Sequence, residues 1–254
     1  MLILLTMLAT GIVMGFIGAG GSGSIIAILT IFFGINIHAA LGTSLLAMVF
    51  TSIAGGYSHF REHNIVLRTG LAVGGFGAGG AFLGSRLAGL IHAGNLKWLT
   101  GSMLIISSIM LAIRIFKLFN LFKEKPAACM SLHSKRFWLS AAGLGIITGL
   151  MSGLFGIGAA PFIQIGLLLF FGLTIQQSVG TTLLIILPIA LVGGLGYFTL
   201  GFLDLRLFFQ VVSGTIIGSY IGAKFTNRLP DIILKIGMII VPVLGGLLLL
   251  FFGK

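Results

Sequence analysis

The sequence predicts an all-α polytopic membrane protein, with about eight membrane segments arranged as two homologous four-segment repeats. Three observations carry this: an apolar composition with few charges, apolar runs of membrane-spanning length, and a match of the chain to itself at one fixed offset. Of 254 residues, 57% are hydrophobic and 7% charged, whereas a soluble domain carries about 25% charged residues. Lipid removes the need for a charged exterior, and no charged helices are left that could wrap an apolar soluble core.

The self-match appears when the chain is shifted by 138 residues. Gly11, Gly15, Gly18 and Gly20 then fall on Gly149, Gly153, Gly156 and Gly158. Phe32-Phe33-Gly34 falls on Phe170-Phe171-Gly172, Gly42-Thr43 on Gly180-Thr181, and Gly55-Gly56 on Gly193-Gly194. Leu67-Arg68 meets Leu205-Arg206, and Leu96-Lys97 meets Leu234-Lys235. Leu and Ile coincide by chance in apolar chains; this many glycines with an Arg and a Lys in one register do not. Internal repeats of this kind are typical of secondary transporters.

The apolar segments are expected at 2–34, 38–60, 66–90 and 95–116, then 137–172, 176–199, 205–227 and 231–252. Most are near the ~20 residues that a spanning helix needs. The first of each half is too long: a 33-residue helix would reach about 50 Å at ~1.5 Å per residue, against a hydrocarbon core of ~30 Å. Each also carries a glycine cluster near its middle, Gly18-Ala19-Gly20-Gly21-Ser22-Gly23-Ser24 and Gly153 to Pro161. Both are therefore read as broken helices of two arms. The chain divides into a first repeat (1–116), a basic linker (117–136) and a second repeat (137–254).

The linker region holds Arg114, Lys117, Lys123, Lys125, Lys135 and Arg136 with the lone acid Glu124, and the positive-inside rule places it in the cytoplasm. The same rule makes orientation a sufficient reason for the net charge of +11, so no nucleic-acid partner is inferred. Localisation in the inner (cytoplasmic) membrane follows. If the broken segments cross the membrane, the repeats are parallel and Lys plus Arg divide 10 inside to 5 outside. If they turn back, the repeats are inverted and the division is 11 to 4. The inverted arrangement is expected, because paired broken helices about a pseudo-two-fold recur in transporters. The one cysteine, Cys129, lies in the linker and can form no intrachain disulfide. The start of the chain is read as a membrane segment, since no Lys or Arg precedes its apolar run, as a signal peptide would require.

No acidic residue falls inside a segment: Glu62, Glu124, Asp204 and Asp231 lie in loops or at segment ends. A bare-cation site or a proton relay usually needs such groups in the membrane. A helix broken at mid-membrane offers something else. The start of its second arm exposes unpaired N–H groups carrying about half a positive charge, and such ends bind anions without a cationic side chain. The candidate site residues are Gly20, Gly21, Ser22 and Ser24 in the first half, and Gly158, Ala159, Ala160, Pro161 and Gln164 in the second. Pro161 suits the opening of a helix. The paired Thr43, Ser44 and Thr181, Thr182 are added for their recurrence. Tight packing and interhelical hydrogen bonding are the plain alternative roles for all of these hydroxyls.

His59 and His63 share a helix face, but no third ligand accompanies them, and they read as interfacial histidines. No catalytic constellation, metal site or cofactor is expected. The expected partners are a small anionic substrate and the lipid bilayer, and the chain is also a candidate homo-oligomer. An anion channel of the same architecture and, further off, an intramembrane enzyme are the alternatives to a secondary transporter.

These motifs resemble the TauE/SafE family of membrane permeases over nearly the whole chain. The resemblance rests on Gly18-Ala19-Gly20-Gly21 and Gly156-Ile157-Gly158-Ala159, and on Gly42-Thr43-Ser44-Leu45-Leu46 with its echo Gly180-Thr181-Thr182-Leu183-Leu184. The turns before Arg68 and Arg206, Gly80 to Arg86 and Gly218 to Lys224 also fit. The chain departs from the family pattern with Ser22 in place of a third glycine, Ala27 in place of a proline, and Ala159-Ala160 followed by an early Pro161. The resemblance implies secondary transport of small sulfur-containing anions, such as sulfite or organosulfonates. No Walker motif is present that would supply an ATP motor.

Overall fold

The computed structural model describes residues 2–17, 22–113, 135–226 and 231–252, and among these every regular element is a helix. The first half contains α1 (Leu2–Ile17), α2 (Ser22–Ala27), which continues as a π-helical turn over Ile28–Phe32, α3 (Ile37–Arg61), α4 (Leu67–Leu90) and α5 (Ala93–Ile113). The second contains α6 (Lys135–Phe155), α7 (Ala160–Phe171), α8 (Ile175–Thr199), α9 (Leu205–Thr226) and α10 (Asp231–Phe252). Among the described residues, four helices are long and apolar enough to cross a membrane: α3, α5, α6 and residues 176–199 of α8. Shorter apolar helices accompany them, and α4 has spanning length but is rich in glycine. Of the linker, only Lys135 and Arg136 lie within the described residues, at the start of α6.

Helix ends follow from local chemistry. Gly34 and Gly172, one in each half, both adopt left-handed φ, +62° and +61°. Gly172 is the C-cap of α7 and Gly34 follows Phe33, the C-cap of the π-helical turn, so both stop the preceding helix in a conformation that other residues adopt only with strain. This explains why Phe-Phe-Gly recurs. Helix α8 opens on a capping box, with Thr174 accepting from the Gln177 N–H and Gln177 reaching back to the Thr174 N–H. Asp204 caps α9, its carboxylate accepting from the Arg206 N–H at 2.8 Å. Asn caps as well as Asp, and Ala does not. Asp204→Asn should therefore leave the thermal midpoint of the detergent-solubilised protein unchanged, whereas Asp204→Ala should destabilise by about 1 kcal/mol.

Close glycine contacts give the relative helix directions. A Cβ on Gly145 would lie 2.5 Å from the Val73 carbonyl oxygen, and one on Gly153 2.9 Å from the Ser85 amide nitrogen; α4 and α6 thus run parallel. Likewise Gly214 meets Leu4 while Gly11 meets Gly218, so α1 and α9 are parallel. Gly74 meets Pro188 and Gly89 meets Leu200, so α4 and α8 are parallel. By contrast Gly42 meets Tyr197 while Gly55 meets Leu183, and Gly101 meets Leu250 while Gly246 meets Ile105. Helix α3 is therefore antiparallel to α8, and α5 to α10. The core is continuous across both halves, with Leu41, Leu45, Val73, Ile163, Ile185, Ile189 and Tyr197 fully buried in it. Many large apolar side chains are exposed, among them Leu71, Trp98, Leu139, Phe209 and Phe251, which suits a lipid-facing exterior.

Candidate functional site

The last α-helical bond of α6 in this region runs from the Gly156 N–H to the Ser152 carbonyl at 2.8 Å. The chain then turns through Gly156 (φ +66°), Gly158 (+67°) and Ala159 (+48°), all left-handed. Helix α7 starts at Ala160 and its N-cap, Ala159, provides no side-chain cap. A helix start leaves its first N–H groups without intrahelical partners. Here those are Ala159, Ala160 and Phe162, because Pro161 has no N–H and the Ile163 N–H already bonds the Ala159 carbonyl at 3.0 Å. The stretch from Gly156 to Ala159 is buried.

Ending α6 also frees carbonyls, and polar side chains take them. The fully buried Tyr197 donates its hydroxyl to the Gly153 carbonyl at 2.8 Å. Ser44 donates to the Leu41 carbonyl at 2.9 Å and reaches the Gly156 carbonyl at 3.3 Å. A Cβ on Gly156 would lie 2.7 Å from Leu41 Cδ2 and 3.3 Å from Ile26 Cδ1. One on Gly158 would lie 3.1 Å from Met48 Sδ, with Ile186 Cδ1 at 4.0 Å. The turn therefore sits among α2, α3 and α8. Its walls are aliphatic and thioether groups, and its polarity comes from backbone dipoles and hydroxyls.

Of the residues expected at a site, Gly158, Ala159, Ala160 and Pro161 form this turn and helix start, and Ser44 bonds into it. Gln164, one turn along α7, is buried, and its amide makes no side-chain hydrogen bond among the described residues. Side chains on a helix lean toward its N-terminus, so Gln164 inclines toward Ala160. Ser22 and Ser24 are buried on α2, the Ser22 hydroxyl without a hydrogen-bond partner among the described residues. Thr43 is fully buried, its hydroxyl likewise unpartnered among the described residues. Gly20 and Gly21 lie outside the described residues. Thr181 and Thr182 both make hydrogen bonds to backbone groups. Thr182 donates to the Ser178 carbonyl at 2.6 Å. Thr181 accepts the Val66 N–H at 3.0 Å and so anchors the α3–α4 turn on α8. Thr181→Val should cost about 1–3 kcal/mol by stranding that N–H, and Thr181→Ser should restore most of it, as read by thermal unfolding in detergent.

His59 lies 3.9 Å from Glu62, and no group of three metal-ligating side chains occurs among the described residues. Sequence reasoning missed Tyr197, whose only signal was a phenol within an apolar segment of a chain with three tyrosines.

The family profile described as Sulfite exporter TauE/SafE matches residues 3–249. The chain is 52% identical over 251 residues to the probable membrane transporter protein YdhB of Bacillus subtilis (strain 168), covering 99% of this chain and 100% of that protein. It is 27% identical over 254 residues to the probable membrane transporter protein YjnA of the same strain, covering 98% of each. A probable membrane transporter protein of Xylella fastidiosa (strain 9a5c) is 27% identical over 220 residues, 86% of this chain and 81% of that one. No solved structure matches the chain at a significant level.

Proposed function

From the premise that this chain belongs to the TauE/SafE family and is a multi-pass membrane transporter, we propose that it is a secondary permease for a small anion such as sulfite or an organosulfonate. The anion is held at the turn between α6 and α7 together with the start of α2 at Ser22. The observation that carries this is the buried left-handed turn at Gly156 to Ala159, opening into a half-buried helix start that no side chain caps. Such an end binds anions through N–H groups and the helix dipole. The hydroxyls of Ser22 and Thr43, buried and unpartnered, add donors on the first-half side.

The repeats are inverted in this reading. Helices α3 and α8 are counterparts at the offset of 138, as are α5 and α10, and both pairs run antiparallel in direct contact. The short turns at 62–66, 91–92 and 200–204 reverse the chain, as short connections between helices do. Helices α1, α3, α5 and α9 then share one direction, and α4, α6, α8 and α10 the other. Helices α1 and α3 can share a direction only if the segment between them turns back. This arrangement gives the 11-to-4 distribution of Lys and Arg, with the linker in the cytoplasm of an inner-membrane protein and both termini outside.

Two measurements test the topology. A membrane-impermeant thiol reagent should spare Cys129 in intact cells and label it in inverted vesicles. Reporter fusions at each terminus should give a non-cytoplasmic signal, and a cytoplasmic signal from both would leave only parallel repeats. The site is tested by uptake into proteoliposomes: Ser22→Ala should weaken the apparent affinity about three- to tenfold, the worth of one hydrogen bond of about 0.5–1.5 kcal/mol.

A further inference from the structure

His38, near the start of α3, is a buried imidazole to which the transport reading assigns no task, 5% exposed. Its own backbone N–H donates to the Asn36 Oδ1 at 3.0 Å, so Asn36 is the N-cap of α3 and its amide must present oxygen on this side. The ring Nδ1 lies 3.0 Å from that same Oδ1. The ring Nε2 lies 3.0 Å from the Ala88 carbonyl and 3.2 Å from that of Ile91, where α4 ends. Phe202 stacks on the ring at 4.6 Å.

Among the described residues, every hydrogen-bonding atom that faces this ring is therefore an acceptor. A neutral imidazole carries one N–H and one bare lone pair, and its lone pair would point at an oxygen whichever tautomer formed. The doubly protonated ring satisfies all three contacts. The α4 C-terminus favours a cation beside Nε2, whereas the α3 N-terminus disfavours one, and the Asn36 oxygen lies between Nδ1 and that end. The charged or titratable side chains at this end of the packed elements are Arg86 on α4, His92 in the following turn, Lys97 on α5, Tyr197 on α8, and Asp204 and Arg206 at the start of α9. Arg86 bonds Thr199 and lies over Phe82, Tyr197 donates to the Gly153 carbonyl, Asp204 caps α9 by accepting from the Arg206 N–H, and among the described residues none of the six bonds His38.

We propose that His38 is a proton-binding site: one proton taken from the aqueous phase at the end of the bundle opposite the linker closes a clasp between the start of α3 and the end of α4. Loss of that proton leaves an oxygen facing a lone pair and opens the clasp. The equivalent position in the second half is Gln176, which is exposed and cannot titrate, so the device belongs to one face of the molecule. Only the role of the clasp, gating that face, rests on the transporter reading; proton binding stands on the hydrogen-bond geometry.

The test is hydrogen exchange by mass spectrometry on the protein in lipid nanodiscs, from about pH 5 to 8, the range in which histidine titrates, with rates corrected for intrinsic exchange. Peptides covering 33–40 and 86–93 should be at least about tenfold better protected at the acid end, a difference of about 1.4 kcal/mol per tenfold. His38→Gln should abolish the step. Asn36→Asp, which keeps the cap and places a carboxylate on Nδ1, should move the step to higher pH. No step in the wild type, the same step in His38→Gln, or an unmoved step in Asn36→Asp would each overturn the proposal. Absence of anion flux with the step intact would count against the transport reading alone.

Discussion

Gly158→Val abolishes anion flux in proteoliposomes while the protein still inserts: this is the expected result at the turn between α6 and α7. Gly158 holds φ at +67°, where a side chain costs about 1–2 kcal/mol and a β-branched one more. Its Cβ would also collide with the Met48 methyl group, although the end of a methionine can move aside. Backbone strain therefore outweighs the collision, and the turn is expected to relax away from the geometry that starts α7 at Ala160. Gly158→Asn separates the two effects, because Asn visits the left-handed region readily. Retained flux in the Asn variant with lost flux in Val assigns the requirement to φ. Loss in both assigns it to space for the anion. Normal flux in Val removes this turn from the site.

Gly149→Val should prevent accumulation of folded protein. A Cβ there would overlap the Gly77 carbonyl oxygen and lie 2.7 Å from its carbon and 2.8 Å from the Gly77 Cα. Those are backbone atoms of a parallel neighbour, so α4 and α6 can accommodate the change only by separating. Overpacking a core typically costs about 1–3 kcal/mol, and a backbone clash exceeds that range. Gly75, Gly79 and Gly143 lie on the same two helices with nothing within 4 Å of an added Cβ. Alanine at these three should be neutral or stabilise by up to about 1 kcal/mol. Yield of monodisperse protein and its thermal midpoint check both statements, and equal effects at Gly149 and Gly143 would contradict the packing described.

The sequence made the helix positions legible because spanning length and repeat register constrain them independently. The break before Ala160 and the reversal at Gly172 were both marked by glycines recurring at the same offset, and the structure gives them left-handed φ. Direction was less legible: charge counts of 10 to 5 and 11 to 4 differ by too little to separate parallel from inverted repeats. Contacts such as Gly42 with Tyr197 and Gly101 with Leu250 give the directions of the packed helix pairs, and the proposal of inverted repeats rests on them. Nor could spacing tell which glycines pack and which are open, since Gly79 and Gly80 are adjacent yet only Gly80 meets a neighbouring backbone. Thr181 was grouped with the site because it recurs beside Thr43. Its hydroxyl holds the Val66 N–H, whereas that of Thr43 is unpartnered, so a shared sequence position does not enforce a shared bond. His38 drew no notice at all, because its partners are carbonyls 50 and 53 residues away, which no local pattern reveals.

Carrier-type transport of a small anion by way of the α6–α7 turn is tested most directly by counterflow. Purified protein in liposomes loaded with unlabelled sulfite or a short sulfonate should take up the labelled anion from outside. That uptake should saturate, be accelerated by the internal anion, and vanish with Gly158→Val. Flux that never saturates and appears as single-channel current would make the protein a channel, and flux no greater than that of protein-free liposomes, across sulfite and short sulfonates alike, would contradict anion transport by this chain.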